Sequence, residues 1–232
     1  KMNLEDLQAR CQEHGYKCDE HQLQQFDTYI RMLQEWNERI NLTAITEREE
    51  IIEKHFYDSL LPMFERNITG SLCDVGSGAG FPSIPMKILD PELKITILEP
   101  LQKRCLFLTE LVNTLGLQDV EILHDRAEEY AVRNRECFDV VTARGVANLR
   151  ILGELCVPLV KVGGIFLAMK GAQGLQEHQD ARKGLRILGA ELEHDQLTTS
   201  ANMTRHNLWY AKRRSTDQHY PRPYARIKKN PL

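Results

Sequence analysis

Three glycines at alternate positions follow a short apolar segment in this 232-residue chain. The segment covers residues 71–75 and includes Asp74, and Gly76, Gly78 and Gly80 come after it. Glycine allows a sharp turn and the close approach of a ligand, because it carries no Cβ. A helix that opens from such a turn directs free N–H groups at whatever polar ligand lies above it. The pattern therefore predicts a strand–turn–helix unit that binds a nucleotide-like ligand.

The spacing of the glycines favours one kind of ligand over another. The nicotinamide and flavin fingerprint G-x-G-x-x-G would place its third glycine at position 81, which is Phe81. Here the third glycine stands one residue earlier, at Gly80. An acid followed by G-x-G-x-G is similar to the first motif of S-adenosylmethionine (SAM) methyltransferases, in which the acid, here Asp74, orders the loop and the glycines face the methionine part of the cofactor. Two other interpretations are disfavoured: a nicotinamide oxidoreductase, and a glycine turn that binds no ligand.

Further along the chain, polar residues stand where such a fold would present them to an adenosyl group. Glu99 ends the next predicted strand, 23 residues after Gly76, and a carboxylate there can accept hydrogen bonds from both ribose hydroxyls. Residues 125–129 follow the third strand, where an adenine edge usually lies, although Glu128 is also typical of an ordinary helix start. Arg144 ends the fourth strand and is expected to face the cleft.

The residues after the fourth predicted strand limit the chemistry. Enzymes that methylate exocyclic base amines commonly carry an Asn/Asp-Pro-Pro-aromatic run there, and residues 143–146 read Ala-Arg-Gly-Val instead. Neither Cys137 nor Cys156 stands where pyrimidine C5 methylation needs a covalent cysteine. The target should therefore be an atom with a free lone pair, such as guanine N7, for which positioning can supply roughly 7–11 kcal/mol. Arg144 could hold guanine O6, a phosphate or the methionine carboxylate, and the sequence does not choose among them.

The N-terminal region, residues 1–69, is predicted to form a helical cap. Asp19 and Gln22 form a capping-box pattern, and apolar residues then recur at spacings of three and four. A second helical stretch is expected over about residues 47–64, with Thr46 as its N-cap.

From residue 70 to 213 apolar segments alternate with helical patterns. The predicted strands are 71–75, 94–99, 120–124, 137–143, 163–169, 190–199 and 206–213. The predicted helices between them are 80–89, 101–116, 126–133, 147–160 and 173–188. This alternation indicates an α/β, Rossmann-like, doubly wound fold with a mainly parallel seven-stranded sheet, as in class I SAM-dependent methyltransferases. The last two strands have no helix between them and should form an antiparallel hairpin.

Composition and charge bound the remaining possibilities. No apolar run approaches the ~18 residues of a membrane span, so we expect no membrane partner. No His or Cys spacing indicates a metal site, so we expect no metal and reduced thiols. We expect a cytoplasmic monomer. The net charge is −3, but residues 212–232 hold seven basic residues and one acid, which gives +6 there and −9 elsewhere. A basic tail, taken as residues 214–232, favours a polyanionic partner or serves only for solubility. It lacks periodicity and is expected to be extended or mobile.

Several motifs together resemble the RsmG family, the 16S small-subunit ribosomal RNA guanine-N7 methyltransferases once called glucose-inhibited division protein B. The resemblance covers essentially the whole chain. Its signposts are Asn41-Leu42-Thr43, His55-x-x-Asp58-Ser59-Leu60, the glycine loop with Phe81-Pro82, Lys103-Arg104-x-x-Phe107-Leu108, Arg126-Ala127-Glu128, Ala143-Arg144, Lys170-Gly171 and Tyr220-Pro221-Arg222. The glycine loop alone is specific only for the superfamily, whereas the combination is highly specific.

The resemblance implies a SAM cofactor and 16S rRNA or the small ribosomal subunit as partner. The positions that match the family's SAM contacts are Gly76, Phe81, Ala127, Glu128 and Arg144, with Glu99 at the ribose position. The basic positions matched to RNA or the reacting guanine are Lys103, Arg126, Arg144, Lys170 and Arg205, and Arg222, Lys228 and Lys229 add electrostatic contacts from the tail. Arg144 and Lys170 are the candidates for catalysis.

The resemblance leaves some points open. His55 and Asp58 share one helical face and are expected to tie the helical cap to the sheet rather than to catalyse. The tail keeps its charge, but the Gly- and Pro-containing run usual in the family after Tyr-Pro-Arg is replaced by residues 223–230, so no specific tail fold is expected. Since no obligatory catalytic residue stands out, a non-catalytic SAM- or RNA-binding module and a small-molecule methyltransferase are the alternatives.

Overall fold

A computed structural model describes all residues from 1 to 232. The strands are β1 (Ser71–Val75), β2 (Lys94–Leu98), β3 (Val120–Leu123), β4 (Phe138–Arg144), β5 (Val160–Lys170), β6 (Ala190–Ser200) and β7 (Met203–Lys212). They form one sheet in the order β3-β2-β1-β4-β5-β7-β6. The first five strands pair in parallel, and β7 lies antiparallel between β5 and β6. The predicted mainly parallel sheet and its terminal hairpin are confirmed.

Ten α-helices surround the sheet. They are α1 (Leu4–Glu13), α2 (Glu20–Asn37), α3 (Arg48–Ile51), α4 (Asp58–Glu65), α5 (Ser83–Leu89), α6 (Gln102–Leu115), α7 (Ala127–Arg133), α8 (Leu149–Cys156), α9 (Gly174–Leu188) and α10 (Tyr224–Lys229). The helix predicted over 147–160 is divided, because a 3-10 turn at Val157–Leu159 follows α8.

The alternation of side chains along each strand divides the core into two layers. Leu72 and Val140 point to the face covered by the N-terminal helices, α5 and α6. Their neighbours Cys73 and Val141 point to the opposite face, which α7 to α10 cover. Both faces of the sheet are therefore buried, as expected for a parallel sheet with helices on each side. The N-terminal helices share one continuous apolar core with the sheet.

The second N-terminal helical stretch is interrupted at the residues that matter for the site. Between α3 and α4 the chain forms a π-helical segment, Ile52–Tyr57, which contains His55. Such segments are rare and often mark functional sites. The predicted N-cap was wrong: the Glu47 carboxylate, not Thr46, accepts hydrogen bonds from the first N–H groups of α3. A charged acceptor there also meets the positive end of the helix dipole.

The C-terminal segment is folded, and the expectation that it is extended or mobile was wrong. Its helix α10 buries Ile227 completely. The Arg135 guanidinium donates to the carbonyls of Thr216, Asp217 and Tyr220, and Arg150 donates to those of Pro231 and Leu232. These bonds join residues that are some 80 positions apart, so local periodicity carries no sign of them.

Candidate functional site

The glycine turn after β1 has the left-handed backbone that the sequence pattern implies. Gly76, Gly78 and Gly80 have φ values of +68°, +63° and +102°. A Cβ on Gly78 would meet no atom within 4 Å, so the space above this residue is open. A Cβ on Gly80 would instead lie 2.5 Å from Oη of Tyr29 and 2.9 Å from Cγ1 of Ile84. Gly80 is thus required by packing against α2, and Gly78 is the glycine that faces open space.

Asp74 lies beneath the turn and ties it to the next helix. Its carboxylate Oδ2 accepts a hydrogen bond of 3.0 Å from the backbone N–H of Ser83, at the start of α5. Its Oδ1 is buried without a partner. Burial raises the pKa of Asp74 from 3.8 to about 7, and the hydrogen bonds from Ser83 oppose that rise only in part. The position fits the predicted role of ordering the loop.

Glu99 links the end of β2 to the glycine turn. Its side chain is fully buried, and Oε1 accepts from the N–H of Gly78 at 3.1 Å while Oε2 accepts from the N–H of Leu101 at 2.9 Å. The backbone N–H of Gly76 also donates to the Leu98 carbonyl at 2.8 Å. The predicted ribose acid and the glycine turn therefore belong to one hydrogen-bonded unit.

The start of α7 forms the next wall of the same site. Ala127 and Glu128 are both buried. Oε1 of Glu128 accepts from Nε of Arg126 at 2.8 Å, while Oε2 is buried without a partner. The Arg126 guanidinium lies 4.4 Å from the centre of the Tyr224 ring in α10, which brings the C-terminal segment against this wall.

These residues fit the adenosylmethionine group that the sequence implies. The open space above Gly78 admits a ligand to the backbone, and the unpartnered Oε2 of Glu128 offers an acceptor to a polar donor such as an adenine amine. Glu99 directly follows β2, which is where Rossmann-like sheets present a carboxylate to ribose hydroxyls.

On the other side of Arg144 an ion-pair cluster connects the helical cap to the sheet. Asp58 of α4 receives Nη1 of Arg144 on Oδ2 at 3.0 Å and Nε of Arg205 on Oδ1 at 2.9 Å. Nη2 of Arg205 adds a second contact to Oδ2 at 3.3 Å. The expectation that Asp58 ties the cap to the sheet agrees with this geometry, since Arg144 ends β4 and Arg205 lies in β7.

His55 holds the same guanidinium through a neutral ring. Its Nδ1 lies 2.7 Å from Nη2 of Arg144, and its Nε2 lies 2.7 Å from Oγ1 of Thr43. Burial and the neighbouring arginine lower the pKa of His55 to about 3. Because a guanidinium is only a donor, Nδ1 must be the acceptor, and the proton is on Nε2, which donates to Thr43.

Phe81 lies inside an aromatic stack rather than on an open surface. Its ring stacks on His55 with centroids 4.4 Å apart and on Tyr29 with centroids 5.5 Å apart. The Arg144 guanidinium carbon lies 5.1 Å from the ring centre, and Tyr29 donates its hydroxyl to the Ala79 carbonyl at 2.6 Å. The glycine turn, the helical cap and Arg144 are thus fixed relative to one another.

A cavity of about 330 Å³ opens beside this cluster at the carboxyl end of β4. It is lined by Ile45, Lys54, His55, Asp58, Arg144, Gly145, Met203 and Arg205. Three cationic side chains and one carboxylate give it a positive balance, which suits an electron-rich ligand.

The structure places the predicted basic residues in two different environments. Lys103, Lys228 and Lys229 are exposed, and Arg126 is partly exposed. Lys170 is only 5 % exposed, and its ammonium donates to the carbonyls of Gly145 and Ala147 and pairs with Glu177. Lys170 therefore presents no free ammonium to RNA, which corrects the expectation of a direct contact.

Arg222 requires the same correction. Its guanidinium forms a two-pronged ion pair with Glu154, which is fully buried in α8, at distances of 2.8 to 3.2 Å. A buried carboxylate needs such a partner. Arg222 anchors the C-terminal segment and is not a free contact for RNA.

Several residues of the site escaped sequence reasoning. Tyr29 was not a candidate in the predicted helix, and Thr43 belonged to a motif without an assigned role. Val146 has a left-handed φ of +70° that no local pattern indicates. No group of three or more His, Cys, Asp or Glu residues is arranged to hold a metal ion. No helix has the length and apolar character needed to cross a membrane.

The strand order, the glycine turn after β1 and the acid that ends β2 define a class I SAM-dependent methyltransferase. Solved structures with the same fold include TYW2 of M. jannaschii in complex with AdoMet, at a TM-score of 0.55 and 12% identity over 73% of this chain and 79% of that one. Another is the 16S rRNA (adenine(1408)-N(1))-methyltransferase of Catenulisporales acidiphilia, at a TM-score of 0.52 and 17% identity over 63% of this chain and 87% of that one.

Sequence comparison identifies the family. The model of the GidB family, described as rRNA small subunit methyltransferase G, matches residues 22–207. The Bacillus cereus protein named ribosomal RNA small subunit methyltransferase G is 46% identical over 239 residues, covering 100% of this chain and 99% of its own. The Bacillus pumilus protein of that name is 45% identical over 237 residues with the same coverage. The chain belongs to the GidB family of rRNA small subunit methyltransferases, and SAM is its cofactor.

Proposed function

We propose that this protein transfers the methyl group of SAM to N7 of a guanosine in 16S rRNA of the small ribosomal subunit. The names of its relatives support small-subunit ribosomal RNA as the substrate. The choice of atom rests on the chemistry of the cavity at the end of β4. The protein acts where ribosomal RNA is, in the cytoplasm, as a monomer that makes its own complete site.

The observation that carries the choice of N7 is the absence of a free general base in the cavity. His55 accepts from Arg144 on Nδ1 and donates to Thr43 from Nε2, so neither ring nitrogen is available. Both carboxylate oxygens of Asp58 are taken by the two arginines. A substrate atom that must lose a proton before it attacks would find no acceptor. Guanine N7 attacks through a lone pair and needs none.

The arginines can orient the guanine without blocking the reacting atom. Asp58 occupies Nε and Nη2 of Arg205, and Nη1 of this cavity-lining residue keeps its donors for guanine O6. Guanidinium groups commonly bind guanine through O6 and N7 together. Here the donors have to bind O6 alone, because a hydrogen bond on N7 would occupy the attacking lone pair. Arg144, fixed by Asp58 and His55, sets the position of the base relative to the glycine turn.

The cofactor supplies the methyl group on a positively charged sulfur. We assign its binding to Gly76, Gly78, Glu99, Ala127 and Glu128, whose backbone and carboxylate groups line the carboxyl ends of β1 to β3. Asp74, Gly80 and Phe81 support the turn from behind through Ser83 and Tyr29. Catalysis in this proposal is positioning, which in favourable cases contributes about 7–11 kcal/mol.

Exposed lysines give the RNA its electrostatic contact. Lys103 lies in the first turn of α6, and Lys228 and Lys229 end α10. Neutralising several phosphates makes the logarithm of the affinity fall with the logarithm of the salt concentration, by roughly 0.7 per contact for single strands. The Lys228→Gln/Lys229→Gln variant should therefore show a salt slope smaller by about one to two, with the affinity for SAM unchanged.

A substrate analogue tests the target atom. Transfer of tritium from labelled SAM is measured on 16S rRNA that carries either guanosine or 7-deazaguanosine, in which a C–H group replaces N7. We expect incorporation into the first and none into the second. Equal incorporation would contradict the proposal, and SAM binding with no incorporation into any rRNA would point to a non-catalytic binding module.

A genetic test connects the chemistry to the cavity. Guanines methylated at N7 are mapped in 16S rRNA from cells that lack the protein and from cells that regain either the wild type or Arg144→Ala. One mark should disappear, return with the wild type and stay absent with the variant. Return of the mark with Arg144→Ala would show that Arg144 does not orient the base.

A further inference from the structure

The turn that follows β4 has a backbone conformation that its sequence does not favour. Gly145 and Val146 both have left-handed φ values, +71° and +70°. Glycine adopts this conformation freely, but for a β-branched residue it is a genuine outlier. Residues held in this way cluster at functional sites and persist only where their surroundings impose the conformation.

The Val146 side chain is exposed and lies against the cofactor loop. It is 52 % exposed, so burial of its methyl groups does not explain why the chain accepts the unfavourable backbone. A Cβ on Gly76 would lie 3.2 Å from Cγ2 of Val146, which shows that the valine packs over the first glycine of the turn after β1. The preceding residue, Gly145, lines the cavity at the end of β4. The turn therefore bridges the cofactor loop and the base cavity.

A buried ammonium group imposes the conformation. Nζ of Lys170 donates to the carbonyls of Gly145 and Ala147, on either side of Val146. It also pairs with Oε1 of Glu177 at 3.2 Å, and the same oxygen accepts from the N–H of Leu149 at 2.9 Å. The Lys170 side chain is 5 % exposed, and its ammonium is directed at the turn and at Glu177.

We propose that Val146 is the apolar support against which the target base rests, and that Lys170 is a positioning residue that acts through the 145–147 turn. The inference rests on the proposed function, because it takes the ligand beside Val146 to be the purine that receives the methyl group. A rigid aliphatic side chain beside the cofactor loop fits the face of a ring, whereas the cavity arginines fit its polar edge. Together they would fix both the depth and the orientation of the base.

The principal test is Val146→Gly, for which stability and activity should move in opposite directions. Glycine takes a left-handed conformation without strain, so the Tm should be unchanged or higher. The single-turnover rate of methyl transfer should fall by about tenfold or more, since a displacement of about 1 Å can cost a hundredfold. The Kd of SAM, measured by calorimetry, should change by less than about twofold, because Val146 is proposed to support the base and not the cofactor.

Val162→Gly is the matched control, because Val162 is 54 % exposed in β5 and does not have a left-handed φ. It should lower the Tm, because glycine loses more conformational freedom on folding and relieves no backbone strain here, and it should leave the transfer rate unchanged. An unchanged rate in Val146→Gly, or a loss confined to SAM affinity, would overturn the proposed role of Val146.

The role of Lys170 is tested by combining Lys170→Met with Val146→Gly. If Lys170 acts through the turn, Lys170→Met lowers the rate in the wild-type background and adds little in the Val146→Gly background. An equal further loss in both backgrounds would mean that Lys170 touches the substrate, and would refute the positioning role. Absence of transfer by the wild type itself would instead refute the proposed function, which keeps the two failures distinct.

Discussion

Asp58→Asn should be among the most destabilising conservative changes in this protein. The substitution keeps the shape of the side chain and removes the negative charge that joins Arg144 and Arg205. The Asp58 side chain is 6 % exposed and each arginine is 18 % exposed, so solvent screens the cluster poorly. Two guanidinium groups would then share a largely buried site without a counter-charge.

The expected magnitude follows from the burial. Breaking a buried ion pair by removing one partner costs about 3–5 kcal/mol, because an uncompensated charge is left behind. For a chain of this length 1 kcal/mol corresponds to a change in Tm of about 2–4 °C. The Tm of Asp58→Asn should therefore be lower by about 6–20 °C. Methyl transfer should fall as well, since Arg144 loses the partner that fixes it.

Asp27 offers a matched control, since its carboxylate also pairs with two arginines, Arg31 and Arg48. That cluster is exposed, at 37 % for Asp27 and 44 % or more for the arginines. Exposed pairs contribute about 0–1 kcal/mol each, so Asp27→Asn should change the Tm by only a few degrees. Thermal unfolding followed by circular dichroism measures both variants. Equal losses in the two would refute the claim that burial gives the Asp58 cluster its strength.

Three further outcomes follow from the site. Burial raises the pKa of Asp74 to about 7, so the folded state binds this proton more tightly than the unfolded state does. The free energy of unfolding of the wild type should therefore fall by up to about 4 kcal/mol as the pH rises from about 4 to 7. Urea titrations at pH 5 and 8 should show that Asp74→Asn lacks this loss, and a parallel pH dependence in the two proteins would refute the assignment. The pKa of His55 is lowered to about 3, so its effect on stability has the opposite pH dependence. The stabilisation is complete above pH 6.5 and is lost as the pH falls toward 3. His55→Gln should not show that loss in the same titrations. Gly78→Ala should lower the free energy of unfolding by about 1–2 kcal/mol because of its left-handed backbone, and it should also weaken SAM binding. Gly80→Ala should lower stability more, because its Cβ would clash with Tyr29. A larger loss of stability in Gly78→Ala than in Gly80→Ala, measured by the same urea titrations, would contradict the different roles given to the two glycines.

Much of the sheet could be predicted because its strands are continuous apolar segments. β1 begins and ends at the predicted residues, and no end of β2, β3 or β4 differs from its prediction by more than one residue. The glycine turn and Glu99 were predictable for a related reason, because each comes directly after one of two adjacent strands. The carboxyl ends of parallel strands meet at one edge, so spacing along the chain converts into proximity.

The contacts that assemble the catalytic side of the site could not be predicted, because they join distant parts of the chain. Asp58 and Arg205 are 147 positions apart, and no periodicity relates them. The resemblance indicated that Lys170 matters but assigned it to RNA or catalysis. Its buried contacts with the turn at Gly145 show that matching a family position does not by itself establish what a residue does.

The C-terminal segment shows a third limit. Its charge suggested a mobile polyanion-binding tail, and contact between a polyanion and the exposed Lys228 and Lys229 stays a prediction. The expected mobility was wrong, because Arg222 pairs with the buried Glu154, which looks in the sequence like any other helical acid. A buried carboxylate and the arginine that compensates it cannot be recognised until the fold brings them together.

The central claim is that methyl transfer here needs no general base, and the pH dependence of the chemical step tests it most directly. The single-turnover rate constant is measured from pH 6.0 to 8.5 with SAM and 16S rRNA both saturating, so that the titration of Asp74 near pH 7 does not limit cofactor binding. We predict a rate that varies by less than about twofold across this range, as expected when no proton transfer occurs in the step. A rate that rises about tenfold per pH unit would show that a proton must leave before the methyl group arrives, and would contradict the account.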